Sequence, residues 1–240
     1  MLLYYLFQLL LNNPPAFFIA LFVLILPLLI SITVHEWSHG MTAYLFGDPT
    51  PKQQGRLTFN PLAHLDPVGT LMLFIIGIGW AKPIEINPEN IPGRTKQMLV
   101  AIAGPASNFV MAILFSIILY VMSQYFDINL TAFEPETGII GILAWFLNII
   151  IQINIILGLF NMLPIPPLDG SNFVKWFLPE NIAEAYYRKL APFGMFILLL
   201  LLFTGAFRYI WAAARVVERF IFQVLDFILS PIFSSILINF

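Results

Sequence analysis

The uncharged apolar run from Ala16 to Val34 constrains the fold more than any other feature of this sequence. It contains nineteen consecutive residues without Asp, Glu, Lys or Arg, and a helix needs about twenty apolar residues to cross the hydrocarbon core of a bilayer. Charged residues make up 10% of the chain and hydrophobic residues 60%, whereas soluble domains carry about 25% charged residues. The sequence therefore predicts an all-α integral membrane protein.

Three other segments are apolar enough to be predicted as membrane-spanning helices. They run from about residue 96 to 125, from about 138 to 164 and from 191 to 206. Two shorter apolar segments, 1–13 and 68–81, fall below the length that a spanning helix needs. We expect the first to lie at the membrane surface or to enter it partway, and the second to be re-entrant or packed inside the protein.

The remaining segments allow more than one structure. Residues 55–60 alternate weakly between apolar and polar side chains, which is typical of a strand or of one arm of a hairpin. The tail, 207–240, carries five charged residues and fits an interfacial amphipathic helix, a further span or both. Since no internal repeat, low-complexity tract or soluble appendage is present in the sequence, residues 1–240 are predicted to form one membrane domain. Its cytoplasmic face is expected to carry a short re-entrant or β-like segment.

The distribution of charge predicts the orientation in the membrane. The loop at 126–137 holds three acidic residues and no Lys or Arg, whereas the loops at 48–66, 80–97 and 171–190 each hold two or three basic residues. By the positive-inside rule the acidic loop is outside and the other three are cytoplasmic. The net charge of −2 gives no indication of a nucleic-acid partner. Since the chain contains no Cys, disulfides and thiolate metal ligands are excluded.

A short ionisable motif, His35-Glu36-Trp37-Ser38-His39, directly follows the apolar run. Two histidines four residues apart lie on one face of a helix, where both imidazoles can reach one metal ion. The carboxylate of Glu36 can then take a proton from metal-bound water. The alternative is a set of polar residues on a buried helix. Ionisable clusters at membrane depth are costly, however, and indicate a functional site.

Asp169 is the candidate for a third metal ligand, since catalytic zinc sites usually have three protein ligands and a water. It follows the prolines Pro164, Pro166 and Pro167, which end the preceding helix. Non-helical backbone at membrane depth is tolerated where it is buried or lines a wet cavity, so this carboxylate is expected at the cytoplasmic depth of the histidines. Taken alone, the segment fits a proline-containing loop with an Asp-Gly turn. The other histidine, His64, is expected to be a loop residue.

Together these motifs resemble the site-2 protease family of intramembrane zinc metalloproteases. The resemblance covers about residues 16–175. It implies a three-helix catalytic core there, with one zinc ion held by His35, His39 and Asp169 and with Glu36 as the general base. The motifs that carry it are His35-Glu36-Trp37-Ser38-His39, Gly55 to Pro67, Ala103-Gly104-Pro105-x-x-Asn108, and Asn161-x-x-Pro164-x-Pro166-Pro167-Leu168-Asp169-Gly170.

The resemblance also implies an activity and its partners. Such enzymes cut a transmembrane segment of another membrane protein, so the expected partners are a transmembrane substrate and the lipid bilayer. We expect a multi-pass protein of the cell membrane with its active site toward the cytoplasmic side. Unlike larger members of the family, the chain shows no evident PDZ or CBS domain. Asn161 is the candidate hydrogen-bond donor to the oxyanion that forms during peptide hydrolysis, and its alternative role is an interhelical hydrogen bond. For Asn108 an interhelical hydrogen bond is the favoured role.

Two other functions compete with proteolysis. The first is a catalytically silent membrane scaffold that keeps the motifs for packing; the intact Glu36 and the full ligand set argue against it. The second is a transporter, because polar residues and broken helices near mid-membrane also mark ion sites. A transporter is expected to show matching halves with paired interrupted helices, and the sequence shows none.

Overall fold

The computed structural model describes residues 2–76, 79–126, 128, 130 and 138–237. Within these ranges the chain is helical and forms no β-strand, apart from an isolated antiparallel bridge between Leu65 and Ala81. The α-helices are α1 (Leu2–Asn12), α2 (Pro14–Leu45), α3 (Thr50–Gln53), α4 (Pro67–Ile76), α5 (Arg94–Phe126), α6 (Ile139–Asn161), α7 (Asp169–Phe177), α8 (Glu180–Leu190), α9 (Gly194–Phe203) and α10 (Phe207–Leu237).

Four helical segments of the described ranges are long and apolar enough to cross a membrane. They are α2, α5, α6 and the consecutive helices α8 and α9, so the chain is a multi-pass membrane protein. The first three agree with the predicted spans. The fourth begins at Glu180 rather than at Ala191 and is interrupted by a 3₁₀ turn at Ala191–Phe193. The tail forms a single helix, α10.

Helices α2, α5 and α6 pack against one another and form the expected three-helix core. Helix α5 is central, since it also contacts α7 and α10. Small and branched side chains fill the contact between α5 and α6, among them Ala112 and Ile151, and Ala214 brings α10 into the same cluster. Further along α10, Asp226 accepts a hydrogen bond of 2.9 Å from the hydroxyl of Tyr120 on α5. Helix α10 therefore packs against both α5 and α6.

The ends of α2 follow from its sequence. Asn13 caps the helix by accepting a hydrogen bond from the backbone N–H of Ala16, and Pro14 suits the first turn because it has no N–H to leave unpaired. Beyond the other end, the buried carboxylate of Asp48 accepts bonds from Thr50 and from the segment around Asn87. Burial raises the pKa of Asp48, but these hydrogen bonds lower it by a larger amount, so its pKa lies below the ordinary value. Asp48 thus ties the end of α2 to the segment that enters α5.

The predicted strand at 55–60 is not formed. The guanidinium of Arg56 instead donates to the backbone oxygens of Lys82 and Pro83, and the ring of His64 donates to the backbone oxygen of Thr58 at 2.9 Å. Side chains therefore satisfy backbone groups that strand partners would otherwise pair. His64 lies in a loop, as expected, but is fully buried.

The short apolar segment at 68–81 forms α4 over most of its length and then returns. A side chain at Gly69 would overlap the backbone of Trp80, so the chain doubles back closely against the helix start. Residues 77 and 78 lie outside the described residues. The segment that follows, from Lys82 to Asn87, is irregular and reaches the candidate site described next.

Candidate metal centre

The structure brings the three predicted metal ligands together. Helix α2 presents His35 and His39 one turn apart, with their Nε2 atoms separated by 3.1 Å. Oδ2 of Asp169, the first residue of α7, lies 3.2 Å from each Nε2. A tetrahedral zinc ion bonded at about 2.0–2.1 Å would hold its ligand atoms about 3.3 Å apart. The three atoms therefore fit the coordination sphere of one zinc ion.

Hydrogen bonds at the Nδ1 atoms of both histidines determine that the Nε2 atoms are the ones available to a metal. Nδ1 of His39 donates to the backbone oxygen of Val100 at 2.7 Å, and Nδ1 of His35 donates to Oδ1 of Asn108 at 2.6 Å. In the neutral imidazoles each Nε2 therefore carries a lone pair, directed at the space beside the carboxylate of Asp169. Metal-binding histidines are oriented in this way. Such a convergence of acceptors suits a cation.

Asn108 has a role at the metal centre that its sequence context did not predict. It joins helices, as expected, but its partner on α2 is the ring of a candidate metal ligand. A signal was present in the sequence, because Val100, Gly104 and Asn108 are spaced by four residues and so share one face of α5. That face carries both acceptors for the histidines.

Gly104 allows α5 to approach the metal ligands. An added Cβ there would overlap Nε2 of His39 and would lie 2.7 Å from Cε1 of His35. No side chain larger than hydrogen fits between the helix backbone and the two rings. The Ala-Gly-Pro motif around Gly104 is thus explained by the metal centre itself.

Asp169 reaches the histidines because the chain turns back sharply after α6. Gly170 packs directly on the backbone oxygen of Met162, where a Cβ would overlap it. Burial raises the pKa of Asp169, but His39 and His35 in their protonated form lower it by more, through their charge and their hydrogen bonds, so the net shift is downward. The side chain is therefore a carboxylate at neutral pH, the form that binds a metal.

Glu36 lies beside the three ligands without joining them. Its Oε2 accepts a hydrogen bond of 2.9 Å from the backbone N–H of Ile84, in the irregular segment that Asp48 and Arg56 also hold. Among the described residues, Oε1 of Glu36 receives no hydrogen bond. The carboxylate is thus anchored through one oxygen, and its other oxygen can accept a proton.

Asn161, at the end of α6, lines the same cavity as Glu36 and the three ligands. Its amide nitrogen donates to the backbone oxygen of Leu157 at 3.0 Å, a bond within α6. Among the described residues it makes no interhelical hydrogen bond, so the structure does not support the alternative role considered for it. One N–H of the amide remains for a bound molecule.

A cavity of about 990 Å³ adjoins the site. This volume is at the upper end of the range for ligand pockets. The apolar side chains of Ile84 and Ile86 form part of one wall, and Trp176 and Tyr187, from α7 and α8, line it as well. Charged side chains also line it: Arg94, Lys175, Glu180, Glu184 and Arg188. The site is accordingly open to a molecule larger than water.

Comparison with known proteins agrees with this geometry. Residues 23–204 match the model of Peptidase family M50. The chain is 38% identical over 211 residues to the "Putative zinc metalloprotease YwhC" of Bacillus subtilis, covering 87% of this chain and 93% of that protein. It is 31% identical over 203 residues to the "Putative zinc metalloprotease Rip2" of Mycolicibacterium smegmatis, covering 80% of this chain and 71% of that protein. No solved structure matches the chain.

Proposed function

The chain belongs to peptidase family M50 and is a zinc metalloprotease, and we propose that it hydrolyses peptide bonds within or next to transmembrane segments of other membrane proteins. The observation that carries this proposal is the convergence of His35, Glu36 and His39, all within the membrane-spanning helix α2, with Asp169 in one cavity. Membership of a peptidase family sets aside the transporter considered from the sequence.

We assign His35, His39 and Asp169 as the zinc ligands. The three donor atoms are a neutral imidazole pair and a carboxylate, the set that catalytic zinc sites use with a water in the fourth position. When bound, zinc acidifies that water and polarises the scissile carbonyl. The remaining steps belong to side chains of this chain.

Glu36 is the proposed general base. The Ile84 N–H holds Oε2 at 2.9 Å, which orients the carboxylate and leaves Oε1 to accept the proton of the attacking water. The same carboxyl group can later deliver that proton to the leaving amine. Because Glu36 is not a ligand, it can be changed without dismantling the metal centre.

Asn161 is the proposed oxyanion donor. It is uncharged, lines the cavity and keeps one N–H beyond its bond to Leu157. A hydrogen bond from that N–H to the developing oxyanion would stabilise the transition state. Removing one such donor typically costs about 10²–10³ in rate.

The substrate must present an unwound peptide to this site. A helix hides its amides in its own hydrogen bonds, so substrates with helix-breaking residues near the cut are favoured. The wall that contains Ile84 and Ile86 offers apolar contacts to such a segment. These features support cleavage inside a membrane-embedded sequence rather than in a folded soluble domain.

We propose that the site faces the cytoplasmic side of the cell membrane. The proposal rests on the basic residues of the segments next to it, including Lys175 in α7 and Arg94, the first residue of α5. The acidic loop expected on the opposite side falls mainly outside the described residues.

The test is cleavage of a reporter with one transmembrane segment by the purified wild type and by the Glu36→Gln variant. Both proteins should contain about one zinc per chain, and only the wild type should cut, within or next to the transmembrane segment. Cleavage by Glu36→Gln at the wild-type rate would refute the assignment of the base. Cleavage of soluble peptides alone would refute the substrate class.

A further inference from the structure

We propose that Asn154 on α6 is a positioning residue for the metal centre. It orients the amide of Asn108, and Asn108 in turn holds His35 in the tautomer whose Nε2 is free for the metal. This inference rests on the proposed role of His35 as a zinc ligand. It assigns a function to a buried polar group two residues removed from the metal.

The orientation of the Asn154 amide is fixed by its surroundings. Its nitrogen donates to the backbone oxygen of Ile150 and to Oγ of Ser31, each at 2.8 Å. The backbone oxygen can only accept, and Ser31 uses its own proton to bond the backbone oxygen of Pro27 at 2.7 Å. Both partners therefore require a donor from Asn154. Its Oδ1 must point the other way, toward α5.

The orientation of the Asn154 amide determines that of the Asn108 amide. Its nitrogen donates to Oδ1 of Asn154 at 2.8 Å and to the backbone oxygen of Ser31 at 3.4 Å. Its own Oδ1 then lies 2.6 Å from Nδ1 of His35. Because an amide oxygen can only accept, the Nδ1 of His35 carries a proton, and in the neutral ring its Nε2 then does not.

Burial makes this hydrogen-bonded chain necessary. Asn108 and Asn154 are both 0% exposed, so water is not available to replace either amide. If Asn108 turned over, its N–H₂ would meet Nδ1 of His35 and favour the tautomer with a proton on Nε2. That proton would point at Asp169 and His39, into the space that the cation needs. Metal affinity would fall without any loss of a ligand.

The two histidines differ in the kind of group that accepts their Nδ1 proton. Nδ1 of His39 donates to the backbone oxygen of Val100, an acceptor that cannot turn over. Nδ1 of His35 instead depends on a side-chain amide, whose orientation depends on Asn154. The tautomer of His35 is therefore the one that a substitution can change, and the residue that fixes it, Asn154, belongs to a third helix, α6.

The experiment compares zinc affinity among variants of the purified full-length protein, by competition with a chelator. Asn154→Leu removes the acceptor for Asn108 and should weaken zinc binding about tenfold, the lower end of the cost of changing an outer-shell partner. Asn154→Asp, when its carboxyl group is protonated, keeps both a donor and an acceptor. It should bind zinc within about threefold of the wild type, a change smaller than that outer-shell cost.

Asn148→Leu is the matched control. Asn148 is also a buried amide on α6, 3% exposed, but it accepts its bond from Gln152, one turn along the same helix. This variant loses a buried hydrogen bond without touching the histidines. Its thermal stability should fall while its zinc affinity stays at the wild-type value.

A spectroscopic signature separates positioning from general destabilisation. The chain has three histidines, so ¹⁵N labelling of histidine gives few signals in the metal-free protein. His35 should show the tautomer protonated at Nδ1 in the wild type and in Asn154→Asp, and a mixture of tautomers in Asn154→Leu.

Two results would overturn the inference: wild-type zinc affinity with an unchanged tautomer in Asn154→Leu, or equal loss in Asn154→Leu and Asn154→Asp. Failure of the proposed function would look different. In that case His35→Ala would bind zinc as tightly as the wild type, whatever the Asn154 variants did.

Discussion

Replacing Gly104 with alanine would test whether the close approach of α5 to the two histidines determines metal affinity. Gly104 lies one helical turn from both Val100 and Asn108, whose oxygens accept the Nδ1 protons of the histidines. The added Cβ would lie 2.7 Å from Cε1 and Nε2 of His35 and would overlap Nε2 of His39. Either the rings or the helix must move.

The distance by which His35 and α5 must move apart determines the expected loss of zinc affinity. Ordinary contact with a Cβ begins at 3.4 Å, so the ring of His35 and the backbone of α5 must separate by at least about 0.7 Å in a close-packed interior. The bond from Nδ1 of His35 to Asn108, 2.6 Å long, would then exceed the usual limit of about 3.2 Å. Losing an outer-shell partner costs about 10- to 100-fold in metal affinity, or about 1.4–2.8 kcal/mol.

The assay is zinc affinity of the purified Gly104→Ala variant, together with the thermal stability of its metal-free form. Alanine in a helix interior is favoured over glycine by about 0.5–1 kcal/mol, so a loss of affinity here would not reflect a weaker helix. Gly158→Ala is the control, because its Cβ would meet the ring of Phe109 at 2.9 Å on another part of the core. Wild-type zinc affinity in Gly104→Ala would refute the reasoning.

Three further predictions concern other parts of the chain. Asp48→Ala should lower the free energy of unfolding by about 1.5–3 kcal/mol at pH 7, since hydrogen bonds to the charged group are lost. Because folding lowers the pKa of Asp48 from its ordinary 3.8, the difference in stability from the wild type should shrink in thermal melts recorded below about pH 4. A pH-independent difference in stability would contradict this. Asn161→Ala should keep its zinc and lose about 10²–10³-fold in single-turnover cleavage; a near wild-type rate would remove the oxyanion role. In this cysteine-free chain, a single Cys at position 134 should be labelled by an impermeant reagent from outside and one at position 175 from the cytoplasm only; the reverse pattern would invert the proposed orientation.

Much of the metal centre could be predicted from the sequence because its ligands are set by local rules. The four-residue spacing of His35 and His39 places both on one face of α2 whatever the rest of the chain does. The prolines before Asp169 end α6 and so fix where a carboxylate emerges. The structure places Asp169 3.2 Å from both rings, as the combination of the two motifs predicted.

The parts that the sequence did not reveal depend on contacts between distant segments. Asn108 bonds to His35, which is 73 positions away. Its spacing from Val100 and Gly104 marks one face of α5, but that local pattern does not identify the helix on which its partner lies. The weak alternation at 55–60 predicted a strand, but Arg56 bonds to the backbone of Lys82 and Pro83 instead. Tertiary hydrogen bonds of this kind override short-range preferences.

The most direct test of the account is the zinc X-ray absorption spectrum of the purified protein, recorded with the metal content of the same sample. Wild type should contain about one zinc per chain, coordinated by two imidazoles and two oxygens at about 2.0–2.2 Å, one from Asp169 and one from water. Asp169→Ala should lose the metal or one oxygen from its first shell. A zinc-free wild type that takes up no zinc when offered it, or a spectrum unchanged by Asp169→Ala, would contradict the assignment of this metal centre.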